Sequence, residues 1–237
     1  MINKTIKALM TLIAISSLSS FAYAGSFGIG VSGNIASVSA DGTESTPPAT
    51  GSEATDTSVK TATAGNDFAF GSIFAEYNFG DSERFTLGVD WIPGTADVNS
   101  KNISRTDSDG GAGEANLQGG TRTANAEISD HITYYAELGI AGGIYAKAGF
   151  AQVDIKTKDK FADADGNAST VGNYPDKTLD AWTYGLGYKG SFGNNGFYKV
   201  EGYVIDYDTY SASSGTNNTV TANLDVVGAA LKLGYKF

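Results

Sequence analysis

Few side chains in this 237-residue chain could do covalent or metal chemistry. His131 is its single histidine and it has no cysteine, so thiolate metal sites, disulfides and cysteine nucleophiles are excluded. Ser129-Asp130-His131 is then the one place for serine–histidine chemistry. On strand parity Ser129, His131 and Glu127 share a face. A nucleophile needs a base within hydrogen-bond reach and a third group to orient that base. Parity places this trio on an inner face, which reads as an interior or rim histidine with a polar partner. No catalytic residue is assigned, and the chain is expected to be no enzyme. Two segments match the glycine fingerprint G-x-G-x-x-G, Gly28–Gly33 and Gly185–Gly190. A dinucleotide site needs a helix after the glycines, and neither segment has one. Asp163-Ala164-Asp165-Gly166-Asn167 opens like a calcium loop, but Tyr174 stands where the closing glutamate belongs. Asp107-Ser108-Asp109-Gly110 reads as an acidic turn in the same way. No metal and no cofactor is expected.

The charges with the clearest pattern lie elsewhere. Glu76, Asp90, Glu137, Lys147, Lys189, Lys199, Glu201, Lys232 and Lys236 each sit within an alternating segment, on the face opposite the large apolar residues. They nearly balance in sign. Side chains at i and i+2 share one face of a strand, so these segments read as strands with one apolar face and one face of charges and small residues. The last segment shows it best. Val227, Ala229, Leu231, Leu233, Tyr235 and Phe237 form one row, and Val226, Gly228, Ala230, Lys232, Gly234 and Lys236 form the other.

Eight such segments occur, around Phe27–Val31, Ile73–Phe79, Phe85–Trp91, Ile132–Ile140, Ile144–Phe150, Trp182–Tyr188, Tyr198–Val204 and Val226–Phe237. Their connections alternate in length. Residues 41–65, 97–125, 157–178 and 211–222 are long and polar. Gly80–Glu83, Ala141–Gly143 and Gly193–Gly196 are tight, the last with a hairpin-type Asn-Gly pair. Four long and three short connections fit an up-and-down sheet of eight strands. The chain carries 31 Gly, 13 Tyr and 12 Phe with 4 Pro, which suits strands with aromatic bands and excludes disorder. A formal charge of −10 gives no basic footprint for nucleic acid.

Residues 1–24 read as a secretory signal. Lys4 and Lys7 precede an apolar run from Ala8 to about Ile15, and Ala22-Tyr23-Ala24 is a small-x-small cleavage pattern. Cleavage after Ala24 leaves a barrel domain of residues 25–237. Parity alone does not say which face points outward, and a soluble lipocalin-like barrel would put the apolar face inside. Three features favour a membrane barrel: the balanced charges of one face, the aromatics near strand ends on the other, and the final apolar row closed by Phe237. An exported chain ending Leu231-x-Leu233-x-Tyr235-x-Phe237 resembles the small bacterial outer-membrane barrels, the OmpA-barrel, OmpX and OmpW type with the porin-family and opacity-type surface proteins.

The resemblance implies an all-β fold: an eight-stranded antiparallel up-and-down transmembrane β-barrel with four long extracellular loops and three short periplasmic turns. It further implies Sec-dependent export to the outer membrane of a Gram-negative cell envelope. Leu233, Tyr235 and Phe237 would be read by the barrel assembly machinery, with periplasmic chaperones during biogenesis and lipid and lipopolysaccharide as surroundings. Such barrels are often monomers. An eight-stranded interior is just filled by side chains, so Glu76, Asp90, Glu137, Lys147, Lys189, Lys199, Glu201 and Lys232 are expected to form lumenal ion pairs. The expected role is structural or surface interaction through acidic extracellular loops and an unidentified extracellular ligand. The alternative is a narrow porin passing small solutes or ions.

Overall fold

The computed structural model describes residues 25–46, 58–80, 82–98, 103–109, 118–158, 160–163, 168–169, 174–214 and 218–237. The signal segment with Ala22 and Ala24 lies outside them. One antiparallel sheet contains β1 (Gly25–Thr46), β2 (Ser58–Phe79), β3 (Phe85–Asp97), β6 (Ala126–Ala141), β7 (Ile144–Thr157), β10 (Lys177–Phe192), β11 (Gly196–Tyr207), β12 (Tyr210–Ser213) and β13 (Thr219–Lys236). The order is β1-β2-β3-β6-β7-β10-β11-β13, with β13 paired back to β1. The sheet therefore closes on itself, and at the end where β2 and β3 pair, Ile73–Phe79 with Phe85–Trp91, it has no free edge. β12 is a short run that continues the path of β11 along β13.

The ring is staggered. Following paired residues from Ile29 leads through Ala75, Val89, Tyr134, Phe150, Trp182, Asp206 and Asp225 to Ser39, ten residues further along β1. Such stagger goes with a strand tilt of about 40°. The tight connections and the ends Gly25 and Phe237 lie at one end of the barrel, and the long connections at the other. These are called the turn end and the loop end.

The barrel has two sections of opposite polarity. At the turn end the outside is apolar: Val31, Leu87, Leu138, Leu186, Val200 and Leu231 are exposed there. Trp91, Tyr134, Phe150, Trp182 and Tyr184 rim this band above, and Phe27, Phe79, Phe85, Phe192, Tyr235 and Phe237 rim it below. On β13 the band runs from Val227 to Phe237, a height of roughly 25 Å for tilted strands, the height of a membrane barrel's apolar belt. Above the rim the outside turns polar. Asp67, Asp97, Asp130, Asp154, Asp180, Asp206 and Asp225 face outward at one height, one on each successive strand from β2 to β13 of the ring once the stagger is allowed for.

The inside changes in the opposite sense. Charges fill the lumen at the level of the apolar band. A layer of Ser32, Asn34, Ser72, Thr133 and Thr183 follows. Val38, Val153, Ile155, Leu179, Ile205, Leu224 and Val226 then form an apolar core inside the loop-end section.

This second section corrects the expected long connections. Residues 41–65 are mostly ladder, since β1 and β2 stay paired from Gly25↔Phe79 to Thr46↔Ser58. The 97–125 connection contains β4 (Ile103–Asp109) and β5 (Gln118–Ala124), and 157–178 contains β8 (Lys160–Asp163) and β9 (Ala168–Ser169). These four pair as a separate small sheet, β4-β5-β8-β9. Polar composition disguised the strands because, outside the apolar band, the outward face is water-facing and rich in Ser, Thr and Asp. Both glycine fingerprints lie inside strands, β1 and β10. The calcium-like segment begins in β8 and continues into residues outside the described set.

Candidate functional site

The alternation places all nine balanced charges inward, and the stagger decides which of them meet. Lys199 of β11 is fully buried and donates to Glu76 Oε2 of β2 at 2.5 Å and to Glu137 Oε2 of β6 at 2.7 Å. Lys147 of β7 donates to Glu201 Oε1 of β11 at 2.7 Å. Lys232 of β13 donates to Asp90 Oδ2 of β3 at 3.1 Å and lies 3.9 Å from Glu201. Lys189 of β10 donates to Asn78 Oδ1 at 2.6 Å and lies 3.8 Å from Glu76. Four lysines and four carboxylates thus form a neutral network of two clusters across the lumen, Lys189 and Lys199 with Glu76 and Glu137, and Lys147 and Lys232 with Asp90 and Glu201, bridged by Tyr135 and Tyr145. The lysine side of it spans β7, β10, β11 and β13, and the acid side β2, β3, β6 and β11.

Aromatic side chains fill the space between the charges. Tyr135 donates to Glu76 Oε2 at 3.1 Å and Tyr145 to Glu201 Oε2 at 2.9 Å. Lys147 stands 4.9 Å over the Tyr135 ring, and Lys232 stands 5.4 Å over Phe74. Phe74 and Phe197 are buried and meet edge to face at 6.1 Å. These rings fit because the residue beside each is glycine. A Cβ on Gly88 would come 2.3 Å from the Tyr135 ring, one on Gly187 2.5 Å from Tyr145, and one on Gly234 2.3 Å from Phe197. Gly88, Gly187, Gly228 and Gly234 are therefore the seats of inward aromatics on neighbouring strands, whereas Gly139 faces the Arg84 backbone and Gly185 faces Glu201.

At the turn end Glu83 accepts hydrogen bonds from Ser26, at 2.8 Å, and from Lys236. This clamp joins the β2–β3 turn to both ends of the barrel domain. Burial pushes the Glu83 carboxyl up, but the bonds from Lys236 and Ser26 and the charge of Lys189 outweigh it and hold it below its ordinary value near 4.5. A carboxyl with a lowered folded value stabilises the fold above its unfolded pKa and loses that contribution as pH falls through the folded one. Acid unfolding of the barrel should therefore lose part of its pH dependence, between roughly pH 3 and 5, in Glu83→Gln. Urea midpoints measured across that range for both proteins check this.

The serine–histidine trio does not assemble. Asp130 has φ of 53°, and the β6–β7 register slips between Ser129 and Ile132. This bulge breaks the parity. Ser129 and His131 stay buried, but Glu127 turns outward to Lys158 at 2.7 Å, and Ile128 packs against the core in its place. Neither ring nitrogen of His131 and no atom of the Ser129 hydroxyl has a hydrogen-bond partner among the described residues. The bulge was signalled by an aspartate, a residue that tolerates left-handed backbone. Leu233, Tyr235 and Phe237 lie outward on β13 and its end. Among the described residues no group of three or more His, Asp or Glu stands ready to hold a metal ion.

No protein-family model matches the chain, and no curated protein sequence does either. Among solved structures it is similar to Ail, the attachment invasion locus protein of Yersinia pestis, in complex with the heparin analogue sucrose octasulfate. That match has 12% identity over 90% of this chain and 97% of that one, with a TM-score of 0.34. It is similar to the outer membrane protein OprG from Pseudomonas aeruginosa at 12% identity over 91% and 97%, TM-score 0.38. The outer membrane protease OmpT from Escherichia coli matches at 11% identity over 90% and 97%, TM-score 0.38. With scores this low, function is read from this chain's own residues.

Proposed function

We propose that this chain is an integral outer-membrane protein, an eight-stranded monomeric β-barrel with a closed lumen and a structural or surface-interaction role. The neutral network of Glu76, Asp90, Glu137, Lys147, Lys189, Lys199, Glu201 and Lys232 carries this reading. At the level of the apolar band it joins most of the ring's strands, and Phe74, Phe197, Tyr135 and Tyr145 pack around it. Ions crossing there would have to break several charge-assisted hydrogen bonds at once. The network's role is then to replace lumenal water and hold the strands in register.

The reading is supported by the outer face as well. At the level of the apolar belt all neighbouring strands of the ring are laddered, so the backbone groups there are satisfied without water, and the belt is of membrane height. Export by the Sec route after cleavage at Ala24, and recognition of Leu233, Tyr235 and Phe237 by the assembly machinery, belong to the same proposal. So do the lipid and lipopolysaccharide around the belt. The loop-end section carries the aspartate collar and the second sheet beyond the membrane, and there an extracellular ligand would be met. The reading is non-catalytic.

Ion conductance of the refolded mature chain in a planar lipid bilayer tests the closed lumen. Protein shown to be folded by its heat-shifted gel band should give no unitary steps. Reproducible steps that change in Glu137→Gln or Lys147→Met would replace this reading with a narrow porin.

A further inference from the structure

The loop-end section holds a cavity of about 80 Å³ behind a break in the barrel wall. β2 is paired with β1 along its whole length, but with β3 only from Phe79↔Phe85 to Ile73↔Trp91. Beyond Trp91, β3 passes through Pro93 and Gly94, where the register to β6 slips and Gly94 has φ of 105°. Proline offers no N–H to a ladder, and the bulge bends the strand away. Asn66 Nδ2 donates to the Asp97 carbonyl across this seam at 3.2 Å. Phe68 and Phe70 from β2 and Ile92 to Ala96 from β3 border both the seam and the cavity, whose inner wall is Ile205, Tyr207 and Val226. The seam starts at the height of the Trp91–Trp182 rim and ends at the aspartate collar, where the membrane's hydrocarbon gives way to headgroups.

The cavity is not uniformly apolar. His131 and Ser129 line it, 6% and 4% exposed. His131 touches the Tyr207 ring edge to face at 6.2 Å, yet both its nitrogens lack a partner among the described residues, as does Ser129 Oγ. Buried polar groups are nearly always hydrogen-bonded, and a neutral imidazole offers one donor and one acceptor. No charged side chain lines the space. An apolar chamber with a few convergent polar groups is the usual form of a small-molecule site.

We infer that this chamber binds a small neutral alcohol with an apolar body, phenol-sized or smaller, taken up sideways from the membrane interface through the β2–β3 seam. The hydroxyl meets His131 and Ser129, and Phe68, Phe70, Ile205 and Val226 surround the body. A cavity of about 150 Å³ accepts benzene. This one is smaller, so a ring enters as the unladdered seam widens.

His131, the sole histidine, gives a clean probe. The refolded chain, labelled with ¹⁵N at histidine and held in detergent micelles, is titrated with 4-fluorophenol and with 4-fluorotoluene. The first should shift the imidazole signals saturably, and the second should need about tenfold more ligand. Phe70→Trp and Val226→Phe, which fill the chamber from opposite walls, should each remove the saturable shift. Whichever of them keeps the heat-shifted band decides the test. In His131→Phe, followed by the ligands' fluorine signals, the preference for the alcohol should disappear. A shift that grows without saturation, equal response to both ligands, or a shift unchanged in a folded filling variant would overturn the inference. None of these outcomes bears on conductance, so the closed lumen is tested separately.

Discussion

Lys199→Met lowers the stability of the barrel by about 3–5 kcal/mol, the cost of breaking a buried ion pair from one side. Lys199 is fully buried and bonded to both Glu76 and Glu137. Without it two carboxylates face each other in the buried lumen, with one fewer cation to offset them. Combining Lys199→Met with Glu137→Gln leaves three lysines and three carboxylates, with Glu76 still beside Lys189, and should recover most of the loss, because a buried pair replaced as a whole is often nearly neutral. Urea unfolding in lipid vesicles, followed by Trp91 and Trp182 fluorescence, measures all of these proteins. A single variant within about 1 kcal/mol of the parent, no more than a surface pair contributes, would mean that the network fills space without holding the strands together.

Leu231→Arg has the second large effect, about 2–4 kcal/mol, as expected for a cation on the lipid face near mid-depth. Leu231 is outward and 52% exposed, halfway along the β13 row from Val227 to Phe237. Asn223→Arg lies on the same strand and the same face, above the aspartate collar, and should change stability by less than about 0.5 kcal/mol. The contrast separates a membrane barrel from a water-soluble one, in which both positions would be tolerated alike. Equal effects from the two variants in vesicles would rule out a lipid-facing band at this height.

Much of the turn-end section was legible in the sequence, since a period of two survives any choice of partner strand. The row Trp182, Tyr184, Leu186 and Tyr188 lies outward as the alternation requires, and Glu76, Glu137 and Lys199 lie inward. Which lysine meets which acid was not legible. Lys147 and Glu201 are 54 positions apart and Lys199 and Glu76 are 123, and only the ten-residue stagger brings them together. The loop-end section was hidden for a different reason. Val153, Ile155 and Leu179 carry the parity of the lumenal lysines, so one strand reverses the meaning of its faces partway along. The two bulges broke the pattern locally. Pro93-Gly94 within a strand was the available signal for the first, since proline and glycine there mark bulges and edges. Missing the second put Glu127 on the wrong face.

On the proposed outer-membrane reading, the aspartate collar works as a depth stop. Asp67, Asp97, Asp130, Asp154, Asp180, Asp206 and Asp225 ring the wall just above the tryptophans, and a carboxylate cannot follow the barrel into hydrocarbon without losing its water. The aromatic rim below resists the opposite movement, since those rings favour the interface. The barrel therefore keeps its draught in bilayers of different thickness, and the lipid yields instead, thinning or thickening around it at a modest cost per ångström. Where belt and bilayer differ in height, each molecule on that reading would carry an annulus of deformed lipid. Two such barrels of the same belt height would share that annulus when they touch, so on this reading the collar would favour neighbours of equal depth through the lipid alone.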